Sequence, residues 1–226
     1  MRAFLLTLAL FFVTFACGAA DDFPLRASLV VDGRPHSFDP GRSSQATLQA
    51  DGVVVEWRRE GSVISATLHN RSSVPKKLGR LVLAQASEVP GDRALVMSGW
   101  QISNLVQPTA GKKLVSKTLL QLWQPATAEA VQFGFITFDR INTEIEIEGA
   151  IVSAVCDFEG FALAPGAEIA SERLRIARDG DPISALHAWG DAAAAHYKVR
   201  IWPTTPAGWV GWSWVDSFNT ETDRKS

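Results

Sequence analysis

Apolar and polar residues alternate with a period of two through most of the stretch from Leu25 to Arg178, as in strands with one face in a core and the other in water. Val53–Arg58 and Ser62–His69 are two such runs, and Glu60-Gly61 between them predicts a hairpin. Leu78–Gln85, Val131–Asp139, Asn142–Glu148, Ala150–Phe158 and Ile169–Ala177 predict further strands, the last two joined through the turn Ala164-Pro165-Gly166. Within 142–148, Thr143, Ile145 and Ile147 point one way while Glu144, Glu146 and Glu148 point the other, a half-buried strand with a solvated acidic face. Strands at short intervals with no helix between them predict a mainly β fold, a sandwich over residues 21–180.

The period changes at Asp181. This residue can cap a helix, Pro182 suits the first turn, and the alanine-rich run to Lys198 favours helix. Ile183, Leu186, Ala193 and Tyr197 fall on one face of that helix. Residues 181–205 are thus a linking helix and linker, and Pro206–Val215 predicts a fresh strand opening something new over 206–226. No internal repeat is visible.

Composition narrows the function. The net charge of −2 over 226 residues offers no basic surface for phosphates, so nucleic acid is not an expected partner. Residues 1–20 read as a signal peptide: Arg2, the apolar run Ala3–Ala16, then Gly18, Ala19 and Ala20, with cleavage leaving Asp21 first. The run is too short to span a bilayer, which takes roughly 20 apolar residues. The expected location is secreted or periplasmic; a lipoprotein anchored through Cys17 is the alternative, although Thr14 stands where such signals carry leucine. After cleavage Cys156 is the lone cysteine, so no internal disulfide forms, and its strand-like surroundings predict a small buried side chain.

Four stretches resemble glycoside hydrolase family 36, the melibiase-type α-galactosidases and raffinose-synthase relatives. Ser98-Gly99-Trp100-Gln101 is similar to the family's Gly-Trp/Tyr-Gln-Ser-Trp segment, with Ile102-Ser103 in place of Ser-Trp. Phe133–Arg140 resembles its Gly-Phe-Leu-Thr-x-Asp-Arg strand, and Leu163–Glu172 its Leu-x-Pro-Gly-Glu-x-x-x-Ser-Glu. Pro206–Trp212 resembles Pro-x-Gly-Trp-x-Ser-Trp at the first barrel strand, with Gly211 for Ser. The resemblance implies an N-terminal β-supersandwich, the linking α-helix and the first strand of a truncated (β/α)8 barrel. It implies a galactoside or oligosaccharide as the parent enzyme's ligand and a retaining mechanism with two carboxylates roughly 5 Å apart. The family's two catalytic aspartates belong to later barrel strands, so no catalytic residue is carried over and the chain alone is expected to be inactive. Trp209 is carried over as a substrate-binding residue, its counterpart packing on the galactose ring. The rival expectation is a stand-alone exported carbohydrate-binding or interaction sandwich.

Other candidates have plainer readings. Asp139, Asp157, Glu168 and Glu172 could form an acid–base pair, but strand edges or turn hydrogen bonds explain them better. His187 and His196 are nine apart on the helix, whereas metal ligands on one helix are spaced by three or four, and His36 and His69 lack cysteine partners; no metal or cofactor is expected. Ser103 and Ser213 have no nucleophile-elbow context. Asn70-Arg71-Ser72 is a glycosylation sequon, relevant in a eukaryotic secretory route. Trp57 and Trp123 suit a core more than a sugar platform. Trp209, Trp212 and Trp214 are costly to leave wet, since each buried ring hides roughly 150–250 Å² at about 25 cal/mol per Å².

Overall fold

A computed structural model describes residues 23–97, 103–108 and 112–199. In chain order the strands are β1 (Leu25–Val31), β2 (Arg34–Gly41), β3 (Gln45–Ala50), β4 (Val53–Glu60), β5 (Val63–Asn70), β6 (Lys76–Ala86), β7 (Arg93–Met97) and β8 (Ser103–Val106). They continue as β9 (Leu114–Ser116), β10 (Leu119–Gln124), β11 (Glu129–Phe135), β12 (Asn142–Glu148), β13 (Ile151–Leu163), β14 (Glu168–Ala170) and β15 (Leu174–Asp179), followed by the helix α1 (Pro182–Tyr197).

All described pairings are antiparallel, and they build two sheets. One has the order β2-β1-β6-β13-β12-β9; the other runs β3-β4-β5-β15-β11-β10-β7-β8, with β14 added to β5. The expected mainly β sandwich is what the chain forms. Its core lies between the sheets, where the alternating residues of β1 (Leu25, Leu29, Val31), β4 (Val53, Val55, Trp57) and β12 (Ile145, Ile147) meet. Trp57 is buried and its indole N–H crosses from one sheet to the other, donating to Leu83 O at 2.8 Å. Core packing, not a sugar platform, is its role. Trp123 sits half-buried in β10.

Three expectations change. The strand predicted to run from Val131 to Asp139 ends at Phe135, and residues 136–141 form a turn. The strand predicted over Ile169–Ala177 is two strands, β14 and β15, interrupted at Ser171–Arg173. Both breaks have one cause, the inward-turned Glu172 described below. The helix begins as expected: the Asp181 carboxylate accepts from Ile183 N and Ser184 N, and those bonds, led by one from the Ser184 hydroxyl, hold it below its ordinary value. Its buried face differs. Ile183 and Tyr197 are 58% and 43% exposed, while Ala185 and the half-buried Trp189 make the contact with β11 and β15.

The acidic face of β12 is not free in water either. Arg80 donates to Glu146 at 2.6 Å, Lys113 pairs with Glu146 at 2.7 Å, and Lys117 pairs with Glu144. Asn70, in the sequon, is fully buried. Its amide donates to Val74 O and Leu163 O, both at 2.8 Å, and its oxygen accepts from Ser72 N and the Ser72 hydroxyl. Both amide hydrogens are thus spent inside the fold, so the sequon is a corner brace. The predicted signal peptide 1–20 and the predicted strand within 206–226 lie outside the described residues.

Candidate functional site

Trp209, the candidate substrate-binding residue, lies outside the described residues, and so do Trp212, Trp214 and Ser213. So does the Ser98–Gln101 stretch. The two remaining motif stretches are fully described, and the fold brings them together.

Ser171-Glu172-Arg173 leaves the sheet between β14 and β15 and meets the turn that follows β11. One oxygen of Glu172 accepts three backbone N–H groups in succession, from Asp139 (3.0 Å), Arg140 (2.8 Å) and Ile141 (3.1 Å). Glu172 is 3% exposed, so these donors stand in for the water it has lost. Around it, Arg173 N donates to the Thr137 hydroxyl, Ile136 N donates to Arg173 O, and the Ser171 hydroxyl accepts from Ala66 N while donating to Glu172 O. Alternation breaks here because the chain gives up ladder bonds to make this clamp.

The end of α1 closes onto the same turn. The Tyr197 hydroxyl accepts from Phe138 N at 2.5 Å, and His196 Nε2 lies 3.3 Å from the Asp139 carboxylate. Partial burial pushes the Tyr197 phenol up, and the neighbouring charge of Asp139 adds to this against the lowering effect of the Phe138 bond. Farther along the helix, the Trp189 indole lies on β11 and donates to Phe135 O at 2.8 Å. It rests where Gly134 has no side chain: a Cβ there would stand 2.5 Å from Trp189 Cδ1. The glycine of the Phe133–Arg140 stretch is therefore the landing point of the helix.

These groups border an open cleft of about 460 Å³, with Ser65 and Thr67 on one wall and Asp139, Arg140, Glu172 and His196 on the other. Two of the four candidate acids, Asp139 and Glu172, are thus brought together; the others are not. Asp157 accepts from Glu159 N in a local turn, and Glu168 pairs with His69 at 3.1 Å. The arrangement is better read as a structural joint than as an acid–base pair, because one oxygen of Glu172 is given over to three backbone N–H groups and Asp139 lies against His196. Nor does it make a serine triad, since the Ser171 hydroxyl points its proton at a backbone carbonyl. His36 pairs with Asp51 at 3.2 Å, and among the described residues no cluster of three or more His, Cys, Asp or Glu side chains could hold a metal. Cys156 is buried, and burial pushes its thiol up to about 12, so it is an inert core residue as expected.

Trp189 escaped the sequence reading, and Tyr197 figures in it only as part of the helix's apolar face. The signal was present in Gly134: a glycine inside a strand marks a close approach by something bulky.

No family model matches the sequence, and no curated protein does. Among solved structures, an α-galactosidase from Lactobacillus brevis superimposes with a TM-score of 0.46 at 16% identity, over 76% of this chain and 25% of that one. A polysaccharide lyase superimposes with a TM-score of 0.44 at 9% identity, over 77% of this chain and 28% of that one. The chain spans about a quarter of the length of each. Superpositions this loose establish neither family nor activity.

Proposed function

We propose that this chain is the exported N-terminal sandwich module of an α-galactosidase-like glycoside hydrolase, structural in role and without a catalytic acid pair of its own. The observation that supports it is the Glu172 clamp. Two stretches that resemble the family, Phe133–Arg140 and Leu163–Glu172, supply the two halves of one joint, and Glu172 of the second fastens the backbone of the first. The joint also holds the end of α1, through Tyr197 and His196, and so sets the direction in which the chain leaves the sandwich. In this reading Trp209 meets the sugar only within a complete barrel, whose later strands supply both catalytic aspartates.

The test is hydrolysis of p-nitrophenyl α-D-galactopyranoside by the purified chain, together with the coding DNA read past Ser226 in all three frames. The expected result is no turnover above blank, and a barrel-like continuation in the DNA. Galactosidase activity in the purified chain with no such continuation overturns the proposal. Export is checked by expression with residues 1–20 in place: a secreted product whose N-terminal residue is Asp21 agrees with it, and a retained product beginning at Met1 refutes it.

A further inference from the structure

The outer face of the six-stranded sheet carries a second open groove, of about 530 Å³, on the side of the sandwich defined by β1, β2 and β6. A smaller hollow of about 150 Å³ continues it, sharing Arg26, Asp39 and Gln85 and adding Pro24, Ser87 and Ile151 as a lip. The larger volume falls in the roughly 300–1,000 Å³ range of small-molecule sites.

The groove exists because two bulges flank one strand. Between β1 and β2 the register slips from Leu25↔Gly41 to Ala27↔Phe38, setting Asp39 and Pro40 opposite the single residue Arg26. Between β1 and β6 it slips from Arg26↔Gln85 to Ser28↔Val82, and between β6 and β13 from Ala154↔Ala84 to Val155↔Val82. Leu83 is therefore unpaired in both ladders of β6, and Leu83 and Ala84 are both buried where alternation would turn one outward. The bulge is pinned from inside the core by the Trp57 indole on Leu83 O. Bulges bend a strand and re-aim its side chains; here they crease the sheet at one height across β2, β1, β6 and β13, and the groove lies along the crease.

Its polar groups keep hydrogen-bonding capacity that the described residues do not use. Arg26 makes no hydrogen bond or ion pair with any described residue, and the Ser28 and Ser37 hydroxyls have no partner among them. Gln85 uses only its amide N–H, toward Ser153, and Asp39 accepts from Gly41 N through one oxygen. The groove thus offers a guanidinium, a carboxylate, an amide oxygen and two hydroxyls, donors and acceptors in mixture. An anion would meet Asp39 and a cation would meet Arg26, while an apolar ligand would strand all of them. A ligand that is uncharged and dense in hydroxyls satisfies the whole set, with Pro24 and Ile151 covering its C–H face.

We propose that this creased face binds a neutral oligosaccharide, at a site separate from the cleft beside α1. The inference goes beyond the module reading and stands without it, since binding here needs neither a barrel nor catalysis.

The experiment is titration of the full ¹⁵N-labelled chain with neutral α-galacto-, β-gluco- and manno-oligosaccharides, beside an oligogalacturonide and a chitosan oligomer, read by amide shifts. At least one neutral sugar is expected to bind saturably with a dissociation constant on the order of millimolar, moving the amides of Arg26, Ser28, Ser37 and Gln85. Arg26→Ala and Asp39→Ala should each weaken it about tenfold or more, with the thermal midpoint unchanged in Arg26→Ala. Three outcomes overturn the proposal: no binding by any neutral sugar, tighter binding of the acidic or cationic oligomer than of every neutral one, or shifts confined to the cleft around Asp139. Failure of the galactosidase proposal leaves these readouts unaffected, and absence of binding here says nothing about hydrolysis.

Discussion

Replacing Gly134 by alanine puts a methyl group where the Trp189 ring already lies. The new carbon would stand 2.5 Å from Trp189 Cδ1, 2.7 Å from its Nε1 and 2.8 Å from Leu119 Cδ1. Carbon atoms rest at roughly 3.5–4.0 Å, so the indole must retreat by about 1 Å. That movement breaks its 2.8 Å bond to Phe135 O. Overpacking of this kind costs about 1–3 kcal/mol and the lost hydrogen bond about 1 kcal/mol. The expected destabilisation is about 2–4 kcal/mol, and at roughly 2–4 °C per kcal/mol the melting midpoint falls by about 4–16 °C. The Trp189 indole N–H should also lose its protection from exchange, which an indole ¹⁵N–¹H spectrum resolves from the other seven tryptophans. The decisive assay is a double-mutant cycle by urea unfolding with Gly134→Ala, Trp189→Ala and the pair. With the ring gone only the flexible end of Leu119 opposes the methyl, so the coupling should reach about 1.5 kcal/mol or more. Additive behaviour within about 0.5 kcal/mol would refute the view that Gly134 is glycine because Trp189 lands there.

Further outcomes are expected from the other anchoring groups. Glu172→Ala removes an acceptor shared by three N–H groups, and since Ile141 is buried while Asp139 and Arg140 face water, the loss should be about 3–5 kcal/mol by chemical denaturation; Glu172→Gln, which keeps an oxygen in place, should cost less than half of that. Asn70→Ala removes the side-chain donor to Leu163 O and the acceptor for Ser72 N, while Val74 O keeps the Ser72 hydroxyl, and should cost about 2–3 kcal/mol; folded chain secreted from a glycosylating host should carry no glycan at Asn70 by intact mass, and a folded, glycosylated product would contradict the corner-brace role. Burial pushes the Glu146 carboxyl up, but hydrogen bonds from Lys113 and Arg80, with their charges, bring it below its ordinary 4.5. Because the folded value is the lower one, its contribution is complete above about pH 4.5 and is lost as pH falls through the folded value. These part-exposed pairs are screened, so Glu146→Gln should flatten the acid limb of the stability profile by no more than about 1 kcal/mol, and high salt should shrink the difference.

Local pattern decided a good deal. Alternation of period two marked β4, β5, β12 and most of β6 and β13, because a strand buried on one face writes that burial into every second residue. Asp181-Pro182 marked the start of α1 to the residue, since a cap depends on side chains adjacent in the chain. The buried, inert state of Cys156 and the core role of Trp57 were equally legible from the apolar runs around them. The joint was not. Glu172 binds a turn more than thirty residues earlier, Trp189 reaches Phe135 O across 54 residues, and Asn70 reaches Leu163 across 93. Nothing in local sequence distinguishes these residues from solvated Glu, Trp or Asn, because their roles come from partners brought near only when two sheets close on each other. The crease on the outer face is of the same kind: a strand one residue too long is invisible until its neighbours fix the register that leaves Leu83 over. Burial pattern is a property of the segment, and pairing is a property of the fold.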